Sequence, residues 1–101
     1  MYVKFKEPFR FEDTDHEGVD LDLDGLTGDV LEKAQEIIFA SGKPVRGMAE
    51  LSKAYCSQVA AFASKKPVEL IRALPAGDYN TIIVRVQDFL LDGVLEAQKT
   101  Q

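Results

Sequence analysis

Val3, Phe5, Phe9 and Phe11 occupy odd positions at the start of the chain, with Lys4, Lys6, Arg10 and Glu12 between them. This alternation predicts a strand with one face on a core and the other in water. Glu7–Pro8 interrupts it; proline brings no N–H to a ladder, so the strand is an edge or is bent there. A second alternation turns Val19, Leu21 and Leu23 inward and Asp20, Asp22 and Asp24 outward. It predicts the returning strand of a hairpin, with the polar stretch Asp13–Gly18 as its loop. Two strands alone are marginal in water and need a cover.

Helices supply it. Thr27 suits an N-cap, and Asp29 in the first turn suits the helix dipole. Val30, Leu31, Ala34, Ile37 and Ile38 then recur at helical spacing until Ser41–Gly42 and Pro44 stop the run. A second helix is expected from Met48 to Ser64, with the stripe Met48, Leu51, Tyr55, Val59 and Phe62, and Lys65–Lys66 at its C-terminal end. Pro67 opens a short helical turn through Leu74. Ile82–Ile83–Val84 is β-branched and favours a strand, but Tyr79, Ile82, Ile83, Val86, Phe89 and Leu90 follow helical period. The period predicts a last helix from about Ala76 to about Gln98, fraying after Gly93, with Val86 and Phe89 in the core. The fold class is α+β: an N-terminal β-hairpin followed by three to four packed α-helices. Residues 1–92 form one domain, and 93–101 a polar, frayed tail.

At 101 residues there is little room for a second domain, and 46% hydrophobic with 29% charged residues is ordinary globular composition. Twelve basic against seventeen acidic residues leave a net charge of −5. That argues against general affinity for nucleic acid or an anionic membrane, since both need a cationic face. Residues 1–41 carry four basic and eleven acidic groups, whereas 42–72 carry six basic and two acidic. The uneven charge is either a solvated surface or a head-to-tail contact within or between copies. A single cysteine forms no internal disulfide and fits a reducing compartment. No apolar run approaches the roughly 20 residues of a membrane span, and Met1–Phe11 is unlike a signal peptide.

The candidate chemistry is thin. Asp20, Asp22, Asp24 and Gly25 match the first half of a calcium loop, but Leu31 stands where the bidentate Glu belongs and Glu32 comes one residue late. The frame Asp13, Asp15, Glu17, Gly18, Asp24 fails at the same place. These carboxylates therefore read as a solvated face, with a small calcium-binding module as the rival. His16, the only histidine, lies in the acidic loop without a second His or Cys to complete a transition-metal site. Cys56 flanks the second helix stripe as a buried structural thiol. No catalytic, cofactor-binding or metal-ligating set emerges, and nothing supports an enzyme.

What remains is apolar surface. Val84, Leu91 and Leu95 form a separate stripe on the last helix, roughly 120–160° from Tyr79. Either the 67–74 segment or the first strand covers it, or it meets another chain. Phe39, opposite Val30 on the first helix, raises the same question.

Several stretches resemble one family. Leu21-Asp22-Leu23-Asp24-Gly25-Leu26-Thr27-Gly28-Asp29 is similar to its leucine-rich strand followed by an L-T-G-x-D/E helix start. Glu50-Leu51-Ser52-Lys53-Ala54-Tyr55 resembles its E-L-N-K-x-Y segment. Leu74-Pro75-Ala76-Gly77-Asp78-Tyr79 and Val86-Gln87-Asp88-Phe89-Leu90 resemble its closing L-P-A-x-D-F and V-Q-N-F-L, with Asp88 in place of Asn and Gly77 in place of a helix former. Together, over residues 3–92, they resemble the small tail assembly chaperones of long-tailed bacteriophages and prophages. The resemblance implies a non-enzymatic, cofactor-free factor in the host bacterial cytoplasm. Such a factor binds the tape measure protein, keeps it soluble, helps recruit major tail subunits and is absent from the mature virion. Val84, Leu91, Leu95 and Phe39 are the candidate contacts with that partner or with a second copy. The remaining rival is a phage structural or accessory subunit retained in the virion.

Overall fold

The chain opens with an antiparallel hairpin, β1 (Tyr2–Phe11) and β2 (Thr14–Asp20). The computed structural model describes residues 1–42, 49 and 52–99, with 93–99 as backbone alone. The turn is Glu12–Asp13, both left-handed at φ 49° and 64°, so two residues reverse the chain with the twist a hairpin requires. The expected loop at Asp13–Gly18 is therefore corrected: Thr14 onward is strand, and His16 pairs with Phe9. Gly18 is demanded by close approach, not by a turn, because a Cβ there would collide with the Val3 carbonyl oxygen and the Tyr2 ring.

Pairing runs Tyr2↔Asp20, Val3↔Val19, Lys4↔Gly18, then jumps to Phe9↔His16. Phe5–Pro8 thus bulge opposite the single residue Glu17, and the break falls where Glu7–Pro8 interrupts the alternation. Val3, Phe5 and Val19 are buried, while Phe9 and Phe11 beyond the bulge are half-buried. β2 ends at Asp20, earlier than the sequence pattern predicts. Alternation persists without a ladder: Leu21 and Leu23 are buried, and Asp22 N–H donates to the Ala63 carbonyl at 3.0 Å.

α1 (Gly28–Ala40) starts after Thr27, whose backbone is extended but whose side chain makes no capping bond, contrary to expectation. Ala34 and Ile38 face the core. Ile37, expected in the same stripe, is 37% exposed because it sits at the stripe's flank. α2 (Lys53–Ser64) begins later than the expected Met48: Ser52 is extended, and its hydroxyl accepts the Tyr55 N–H at 3.2 Å. Met48 and Leu51 of the expected stripe lie outside the described residues. α2 is no one-sided helix either. Tyr55–Ala61 and Ala63 are all buried, since α2 touches α1, α3, α4 and β2. Its small Ala, Ser and Cys side chains let those neighbours approach. Lys65, left-handed at φ 57°, closes the helix by giving its N–H to the C-terminal carbonyls.

α3 (Val68–Ala73) follows Pro67 and buries Leu70 and Ile71. α4 (Ala76–Lys99) buries Ile82, Ile83 and Val86, with Tyr79, Phe89 and Leu90 half-buried against the core. Phe89 is thus at the margin of the core, not in it. The helical backbone continues beyond Gly93, where fraying is expected from the sequence. Among the described residues no helix is long and apolar enough to cross a membrane.

Candidate functional site

Two polar contacts fix the frame on which any surface must stand. The bulge's Lys6 N–H donates to Asp78 Oδ1 at 3.1 Å, joining β1 to the first turn of α4. On α2, the fully buried Ser57 hydroxyl lies 2.7 Å from the Lys53 carbonyl oxygen and 2.7 Å from the Tyr79 hydroxyl of α4. Among the described residues no buried side-chain nitrogen or oxygen is left without a partner.

The titratable residues singled out from the sequence do not converge. Asp20, Asp22 and Asp24 are exposed along one edge, and Asp22 Oδ1 accepts the Gly25 N–H at 3.2 Å to close a local turn. Asp13 and Asp15 lie at the hairpin tip, both within 4 Å of the Arg10 guanidinium, at 3.8 and 3.3 Å. His16 is on β2. Cys56 is wholly buried in α2. Among the described residues no group of three or more His, Cys, Asp or Glu side chains could hold a metal ion.

The apolar surface is different. Phe39 is 85% exposed near the C-terminal end of α1. It sits beside a shallow, open depression that it lines with Glu32, Gln35 and Glu36. Those residues stand seven, four and three positions before it, the spacing of one helix face. Val84 is 49% exposed on α4. Leu91, seven residues on and on the same face, is half-buried, with exposed Asp88 between them. Leu95 lies outside the described side chains. Phe39 and Val84 therefore stand on two helices that both pack on α2.

Set against models of protein families, curated proteins and solved structures, the chain matches none.

Glu32, Gln35 and Glu36 were not among the sequence's candidate residues. Their signal was present, since they share the 3.6-residue periodicity with Phe39. As isolated polar residues, however, they read as ordinary solvated helix surface.

Proposed function

We propose that this protein is a phage tail assembly chaperone that binds the tape measure protein and keeps it soluble while the tail is built. The observation that carries the reading is Phe39, a phenyl ring 85% exposed on a helix whose inner face is already satisfied by Ala34 and Ile38. An aromatic ring left in water gains by covering a partner's apolar side chain. Val84, with Leu91 on the same helix face, offers a second apolar contact of the kind a helical partner reads at regular intervals. The resemblance carried by the order of the L-T-G-x-D, E-L-x-K-x-Y, L-P-A-x-D and V-Q-x-F-L segments supports as partner a long helical chain with much exposed apolar surface.

Co-expression tests it. The tape measure protein encoded beside this chain should move from the pellet to the supernatant and co-purify with it. A tape measure protein equally insoluble with and without the chain overturns the reading. So does recovery of the chain, in structural amounts, from purified virions by mass spectrometry.

A further inference from the structure

We propose that the outer face of α1 docks a cationic amphipathic helix, taking one apolar side chain against the Phe39 ring and lysines or arginines against Glu32 and Glu36. This rests on the chaperone reading and names the chemistry of the segment that is held.

Four features select a cationic occupant. First, Glu32 and Glu36 are exposed, stand seven and three positions before Phe39 on the same helix face, and have no ion-pair partner among the described residues. Second, Lys33, the sole cation in the α1 sequence, is turned to α2, its ammonium 5.7 Å from the centre of the Phe62 ring. Third, Phe39 stands in the last turn, where the helix dipole is negative, and no basic residue in that turn offsets it. Fourth, a second copy is a poor occupant in a two-fold arrangement, because that pairing sets Glu32 and Glu36 against their own counterparts. The same negative potential repels nucleic acid and anionic lipid. Electrostatics alone would leave the contact weak and salt-sensitive; the exposed ring supplies the anchor that places it.

The test uses the full chain, isotope-labelled, at physiological ionic strength. Two synthetic amphipathic helices of about 18 residues, long enough to be helical in water, serve as probes: one of Leu and Lys, one of Leu and Glu in the same pattern. The Leu–Lys helix should shift amide resonances from Glu32 to Phe39, and the Leu–Glu helix should not bind. Phe39→Ser, at a position 85% exposed, should leave the melting temperature intact and weaken the Leu–Lys helix by about tenfold or more. Glu32→Lys with Glu36→Lys should turn the preference towards the Leu–Glu helix. Shifts spread evenly over the aspartates, with Phe39→Ser binding as tightly as the parent, overturn the proposal. So does sedimentation showing that the free chain already buries Phe39 in self-association. If the peptide result fails while the tape measure protein stays soluble, this face is removed and the chaperone reading stands. If solubilisation fails while the Leu–Lys helix still binds at α1, the reverse holds.

Discussion

Asp78 holds Lys6 by the backbone: the carboxylate Oδ1 accepts the Lys6 N–H at 3.1 Å across 72 residues of sequence. The bulge at Phe5–Pro8 frees that N–H from the ladder, and the first turn of α4 supplies its acceptor, where a carboxylate also suits the helix dipole. Asp78 is itself buried. Asp78→Ala should therefore cost about 1–3 kcal/mol, because it leaves the bulge N–H without its partner. Asp78→Asn, which keeps an oxygen acceptor, should cost less. Urea melts of the two variants, read side by side, check the order.

The Ser57–Tyr79 contact is a second fastening, between α2 and α4. Tyr79→Phe removes one hydroxyl and leaves Ser57 still bonded to the Lys53 carbonyl oxygen. The expected loss is about 0.5–1.5 kcal/mol. A double-mutant cycle with Ser57→Ala should show coupling between the two positions; independent, additive losses would mean the hydroxyl pair contributes nothing of its own.

α4 separates two classes of apolar residue. Ile82 is wholly buried, and Ile82→Ala should cost about 2–5 kcal/mol through lost burial and a cavity. A domain of this size has about 5–15 kcal/mol in total, so that variant should be close to unfolding at ordinary temperature. Phe89 is half-buried, in a groove with Leu23 and Arg85. Phe89→Ala should therefore cost less than the about 3–5 kcal/mol of a fully buried ring. Thermal melts ranking Phe89→Ala below Ile82→Ala would contradict this packing.

The aspartate edge gives a prediction about metal. Asn in place of Asp20, Asp22 and Asp24 keeps the acceptor that binds the Gly25 N–H and relieves like charge, while at Asp20 it gives up an exposed ion pair with the Met1 ammonium at 3.3 Å, so stability should stay within about 1 kcal/mol of the parent. Asp22→Ala should cost about 1 kcal/mol by losing that acceptor. Millimolar calcium should leave the parent's melting temperature unchanged, since any ligand of the native state must raise it. A calcium-dependent rise abolished by the triple Asn variant would restore the metal-binding alternative.

The hairpin and the helices were legible because each carries its own period: two along Val3–Phe5 and Val19–Leu23, and 3.6 along α1 and α4. Period even outweighed the β-branched run Ile82–Ile83–Val84, which is helical. The turn was not legible, because Glu12–Asp13 adopts two left-handed conformations without glycine or asparagine. Gly18 marked a loop to the eye, while its small size serves strand packing against Val3. α2 hid its centrality for a related reason. Alanines and serines look neutral in a pattern of large apolar residues, yet here they form the floor on which α1, α3, α4 and β2 rest. At the candidate surface, helical spacing located Phe39 and Val84 away from their helices' core stripes. The Lys6–Asp78 bond could not be read, because one partner is a backbone N–H exposed only by a bulge.

The position of α2 has a consequence for how the molecule comes into being. The hairpin and α1 precede their cover in the chain: α1 and β2 pack on α2, and β1 packs on α4. Until that cover is synthesised the emerging segment is dominated by carboxylates, with eleven acidic and four basic groups in residues 1–41. That excess of negative charge favours solvation of the segment while its apolar faces are still uncovered.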